Sequence, residues 1–142
     1  MNIAELTKKL QVLAVKHDVL PGSIDDATLG AMLFDASRTI EVDHDVSERA
    51  ATDALSAWLR GSGIMLRFDP VELRRQLVDW QFVVRDGFGR AYRRATAHPA
   101  RFAEVCTIAE AIDFAHLVSA ARARDLEART TRKAAHLTRI AA

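Results

Sequence analysis

Nine arginines fall between Arg60 and Arg101 (Arg60, Arg67, Arg74, Arg75, Arg85, Arg90, Arg93, Arg94 and Arg101). Only Asp69, Glu72, Asp79 and Asp86 oppose them there, leaving a net charge of +5. A guanidinium is planar, always charged and matched to carboxylate or phosphate oxygens, so such a block suits an anionic partner. Upstream, from Asp18 to Asp53, nine acids stand against Arg38 and Arg49, a net of −7. The basic block therefore has two readings. It meets nucleic acid or an acidic protein surface, or it faces the acidic block of its own fold or of a twin subunit. The whole chain is close to neutral at +1, so bulk charge implies no partner.

Other chemistry is sparse. Serine, histidine and aspartate all occur, but in no spacing that suggests a relay. His17, His98, His116 and His136 stand isolated in the sequence. Asp43-His44-Asp45 invites a metal reading. However, adjacent residues on extended chain point in alternate directions and no His or Cys motif stands nearby, so a loop leading to a helix cap is the plainer reading. Asp86-Gly87-Phe88-Gly89 is too short for a phosphate loop and lacks its Lys or Ser/Thr, which makes it a hairpin turn. Cys106 is the only cysteine, so an internal disulfide is excluded and a cytoplasmic setting is expected. It reads as a small core residue. No apolar run approaches the roughly 18 residues of a membrane span. The chain is thus expected to be no enzyme, with no cofactor, no metal, no membrane contact and no evident small-molecule substrate.

The elements that must position the arginines follow from periodicity and caps. With 49% hydrophobic residues the chain can build a core. Ile3, Leu6, Leu10 and Leu13 line one face of a helix from Asn2 to about Asp18, which Leu20-Pro21-Gly22 ends. A second helix is expected over 24–37, capped by Ser23. Thr39 to Val42 reads as a short strand placed to pair with a later hairpin. Ser47 opens a third helix that runs to Arg60. Ala51, Ala54, Leu55, Trp58 and Leu59 gather on its inner side, and Gly61-Ser62-Gly63 stops it. Asp69 as cap and Pro70 at the first position begin a fourth helix ending near Trp80. Phe82–Arg85 and Arg90–Arg93 read as hairpin strands about the Asp86–Gly89 turn. From Pro99 to Ala142 no Gly or Pro follows, and a helical extension is expected. Phe102, Val105, Ala109 and Ile112 form one stripe, which Phe114, Leu117 and Val118 continue on a rotated face. Beyond Arg122 the segment turns basic, as a solvated helix, a dimer arm or a segment that orders on a partner.

Within this frame the arginines differ. On the 71–81 helix, Leu73, Leu77 and Trp80 mark the core side, while Glu72, Arg75, Gln76 and Asp79 form an outer side with a net charge of −1. That is a poor surface to push into a polyanion. Arg75 and Asp79 are one turn apart and can pair, and Arg75 and Glu72 are also neighbours. Arg74 falls at the edge of the apolar side and needs a carboxylate, from Asp69, Asp86 or the upstream acidic block. Arg74 and Asp79 are therefore read as structural salt-bridge residues. The hairpin makes the better contact surface: Arg85, Arg90, Arg93 and Arg94, with Arg67 and Arg75 as further candidates. Alternation puts Arg90 and Tyr92 opposite Ala91 and Arg93, so not all four can face one ligand.

The run from Ser47 to Arg94 resembles the bacterial domain-of-unknown-function family with serial number 2087. The matching residues are Glu48, Leu55, Asp69, Leu73-Arg74-Arg75, Leu77-Val78-Asp79, Arg85, Gly89, Tyr92 and Arg94. The family's asparagine after Glu48 has no counterpart in Ala51-Thr52-Asp53. The resemblance covers about a third of the chain. It implies a small winged-helix-like domain, sometimes attached to helix-turn-helix regulators, and no established activity.

The resulting expectation is a mainly α protein with a small β-hairpin: an N-terminal helical segment over 1–38, a winged-helix-like domain over 39–96 and a helical extension over 97–142. It would act as a nucleic-acid-binding or transcription-regulatory module with DNA as partner. The alternative is a protein-interaction module that dimerises through its terminal helices.

Overall fold

The computed structural model describes residues 1–141. Side-chain caps start most of its helices. Asn2 accepts from the Glu5 N–H and opens α1 (Ile3–Ala14). Asp25 accepts from Thr28 and opens α2 (Asp26–Ser37). The expected cap Ser23 instead ends a 3-10 turn over Pro21–Ser23, so the helix begins two residues later than its apolar pattern suggests. Ser47 caps α3 (Glu48–Arg60), and Asp69 with Pro70 begins α4 (Pro70–Asp79). Three strands make one antiparallel sheet in the order β1-β3-β2: β1 (Val46–Ser47), β2 (Val83–Arg85) and β3 (Ala91–Arg94). The described chain is thus mainly α, with six helices and this small sheet.

The strand expected at Thr39–Val42 forms later, at Val46–Ser47, where Val46 faces Tyr92 and Ser47 faces Ala91. Only the Glu41 carbonyl of the expected stretch joins the hairpin, accepting from the Arg94 N–H at 2.7 Å. The pairing partner, remote in sequence, decides which residues become strand. The C-terminal extension also departs from a continuous helix. A 3-10 turn over Ala100–Phe102 leads into α5 (Ala103–Ala109), and the chain breaks before α6 (Phe114–Ala141). Asp113 makes the break: its carboxylate accepts from the His116 N–H at 3.1 Å and so starts a new helix.

α2 is the centre of the molecule. Nine of its twelve residues are buried, which is the pattern of a helix surrounded on all sides. Leu6, Leu10 and Ala14 of α1, Leu55 and Trp58 of α3, Leu73 and Leu77 of α4, and Cys106 and Val118 of α5 and α6 belong to the same core. Gly30 of α2 lets Phe102 approach so closely that an added Cβ would lie 2.4 Å from its ring. Phe102 in turn stacks on Phe82, with ring centroids 5.6 Å apart, which ties the start of the hairpin to the central helix. α6 is anchored to α1 by Arg122, whose Nη1 donates to the Ala14 carbonyl at 2.8 Å, a cation at a helix C-terminus.

Candidate functional site

The hairpin is held from both ends. Register pairs Val83 with Arg94, Val84 with Arg93 and Arg85 with Tyr92. Tyr92 and Val83 are each 2% exposed and seat the hairpin on the core. At the far end the Asp86 carboxylate accepts from the backbone N–H groups of Phe88 (3.1 Å) and Arg90 (2.9 Å). The Arg90 N–H, with smaller help from Ala91, Phe88 and Gly89, holds the Asp86 carboxyl below the usual carboxylate range. Gly89 adopts φ +69°, which closes the turn at no steric cost.

Arg85, Arg93 and Arg94 border one groove of about 640 Å³, shared with Val42, Val83 and His98. Arg90 stands outside it, at the turn. Among the described residues none of these four arginines forms an ion pair, whereas Arg74, Arg75 and Arg101 of the same basic block do. Arg67 is exposed, carries no ion pair among the described residues, and lies away from the groove. Its N–H donates to the Val19 carbonyl. Arg75 is paired with Glu72 at 3.6 Å on the exposed side of α4. Of the two acids within reach of Arg75, Glu72 takes the guanidinium and the Arg75–Asp79 pair does not form. Asp79 points to solvent as a free acid among the described residues.

Arg74 is 8% exposed. Its Nη2 lies 3.0 Å from Glu48 Oε1, its Nη1 donates to Thr52 Oγ1 at 2.7 Å, and its guanidinium covers the Tyr92 ring at 5.3 Å. The partner is therefore an acid of the upstream block, not Asp69 or Asp86. Arg101 meets the same block through Asp26 at 2.7 Å and lies over Trp80. Part of the basic block thus neutralises the chain's own acids, and the hairpin part does not.

Two features escape the sequence reading. His98, isolated in the chain, lies 2.6 Å from Glu110 Oε1 and meets Phe34 edge-on. The pair lines a second cavity of about 210 Å³ with Arg94, Ser37 and Phe82. Phe88, at the turn, is 87% exposed. Nothing in the spacing of His98 and Glu110 marks the first, whereas the glycines flanking Phe88 mark the second as a turn apex. Cys106 is fully buried, and burial, with the Glu110 carboxylate second, pushes its thiol up to about 11. A thiol so placed stays protonated near neutral pH and is a poor nucleophile. Among the described residues no group of three His, Cys, Asp or Glu side chains could hold a metal ion. No helix there is long and apolar enough to cross a membrane.

Residues 26–94 match the family model described as "Uncharacterized protein conserved in bacteria (DUF2087)". The chain resembles this family over that segment. The DUF2087 match begins at the first residue of α2 and ends at the last of β3, just under half of the chain. It takes in the central helix, which lies upstream of the motif from Ser47 to Arg94. Every arginine of the groove falls inside it, and α1, α5 and α6 fall outside. No curated protein and no solved structure matches the chain.

Proposed function

We propose that the segment from α2 to β3 is a winged-helix-type nucleic-acid-binding module of the bacterial cytoplasm, serving transcription regulation, in which the hairpin arginines contact phosphates. Support comes from the element order helix, strand, helix, helix, hairpin, with the lone strand beside the second hairpin strand, which is compatible with a winged helix. The observation that carries the reading is that, among the described residues, the guanidinium groups of Arg85, Arg90, Arg93 and Arg94 form no ion pair, beside the engaged Arg74 and Arg101. The exposed face of α4 carries Glu72, Arg75 and Asp79, so contact through the hairpin fits the charge better than insertion of α4.

A duplex-binding titration against salt tests this. Binding is expected to weaken steeply as salt rises, and the combined Arg90→Ala and Arg93→Ala change to lower the logarithmic salt slope by about 2, close to one per phosphate contact. Affinity indifferent to both salt and substitution overturns the reading.

The last turns of α6 favour a second reading, dimerisation through the terminal helix. Leu126, Leu137 and Ile140 are 66%, 56% and 67% exposed on it. Light scattering is expected to give a dimer that truncation after Ala121 converts to a monomer. An unchanged mass after truncation removes this reading.

A further inference from the structure

The tip of the hairpin holds an arrangement that phosphate contact alone leaves unused. Phe88 is 87% exposed, whereas Phe34, Phe82, Phe102 and Phe114 are at most 8% exposed. A single exposed apolar residue needs no explanation by itself. Phe88, however, stands at the apex of a turn whose backbone is fixed by three bonds to Asp86, from the N–H groups of Phe88, Gly89 and Arg90. Gly87 and Gly89 flank it, and a Cβ at Gly87 would meet nothing within 4 Å, so the ring has open space beside it. On one shoulder the Arg85 guanidinium lies against Gly89, where its Cζ would be 3.3 Å from an added Cβ; on the other stands exposed Arg90. The one acid at the tip, Asp86, has Oδ1 committed to the turn's own N–H groups.

We infer that Phe88 is an apolar wedge that enters the minor groove of a nucleic-acid duplex and intercalates at a base step, with Arg85 and Arg90 holding the phosphates on either side. The inference rests on the nucleic-acid reading above and adds to it a mode of engagement. A ring projected alone between cations matches a polyanion whose apolar surface is exposed one step at a time. Minor-groove proteins insert Phe, Leu or Met wedges in this way and kink the duplex. A bilayer surface asks for more. One small apolar anchor gives only marginal, reversible membrane attachment, and the groove beside this tip adds mainly short side chains, valines, alanines and a proline around Arg85, Arg93 and Arg94, with no Trp, Tyr or second Phe to enter a bilayer.

The test uses the full chain and a duplex carrying 2-aminopurine at successive steps, with Phe88→Ala and Phe88→Leu beside the Arg90→Ala and Arg93→Ala pair. The wild type is expected to raise 2-aminopurine emission as a step unstacks. Phe88→Ala should bind about tenfold more weakly at every salt concentration, with an unchanged salt slope and no rise in emission. Phe88→Leu should restore part of both. Because the residue is at an exposed tip, circular dichroism should show all variants folded. If the wild type binds duplex with emission flat and Phe88→Ala binds equally well, the wedge is refuted while the phosphate-contact reading stands. If the wild type binds no duplex, the reading beneath it fails as well. Binding to phosphatidylserine vesicles in preference to duplex, lost in Phe88→Ala, also overturns the wedge and assigns the tip to a lipid surface.

Discussion

Trp58→Ala is expected to destabilise the fold by about 3–5 kcal/mol, as measured by urea or thermal unfolding. Three separate contacts stand behind that figure. The indole is 6% exposed and stacks on Phe114, with centroids 6.3 Å apart and planes 15° apart, which joins α3 to the start of α6. Its other neighbour is Gly63, where an added Cβ would lie 2.4 Å from the ring, so the turn after α3 is folded directly onto it. Its Nε1–H donates to Asp35 Oδ2 at 2.8 Å, which reaches α2. Alanine removes all three and leaves a cavity between elements that cannot close in from one side. A domain of this size has a total stability of roughly 5–15 kcal/mol, so the loss is a large share of it. The melting temperature should fall by about 10–20 °C. Trp58→Phe separates the parts. It keeps most of the ring stack and loses the hydrogen bond, and it should cost about 1–2 kcal/mol, because Asp35 retains its pair with Arg38 at 2.6 Å. A loss under 1 kcal/mol for the alanine variant would contradict the packing of Phe114 and Gly63 on the indole.

What could be read in advance divides along the range of the interactions. Ser47 and Asp69 were legible as helix starts because a cap is decided within three residues. The hairpin was legible for the same reason, its turn glycines and alternating strands being local. β1 was not, since Val46 becomes strand by lying opposite Tyr92, forty-odd residues on, and nothing in Thr39–Val42 forbade the other choice. The break before α6 was visible as a rotation of the apolar stripe between Ile112 and Phe114, but without Gly or Pro only the Asp113 cap marks it. The candidate site shows the same limit more sharply. Composition identified the arginines of the basic block, but which of them are free depends on the fold. Arg101 finds Asp26 seventy-five residues away, and Arg74 finds Glu48 on another helix. Neutralisation by the chain's own acids takes Arg74 and Arg101, while among the described residues the hairpin arginines of the same run form no ion pair.

The Glu48–Arg74 pair yields the second large effect, and its asymmetry is the part worth measuring. The two side chains are 53% and 9% exposed, so they lose different things when parted. Arg74→Met deletes the charge but keeps a stem of similar length against Tyr92. Glu48 then returns to water. Thr52 still has its own bond to the Glu48 carbonyl at 2.9 Å. That variant should cost about 1 kcal/mol or less. Glu48→Gln does the reverse. It leaves the interior guanidinium without a counter-charge, held only by a neutral amide oxygen, one hydroxyl and a ring face, and it removes an acid from the first turn of α3, where the helix dipole favours one. About 2–3 kcal/mol should be lost, discounted from the cost of a fully buried pair because Glu48 is half exposed. The double variant Glu48→Gln with Arg74→Met should recover most of that loss, since no charge is left stranded. Equal costs for the two single variants would mean that Arg74 reaches water and is not pinned between α3, α4 and β3. Unfolding midpoints of the four proteins decide it, and duplex binding by the folded Arg74→Met variant supplies the complement. If Arg74 serves the fold, that binding and its salt slope should equal the wild type's, whereas a lower slope would place Arg74 among the phosphate contacts.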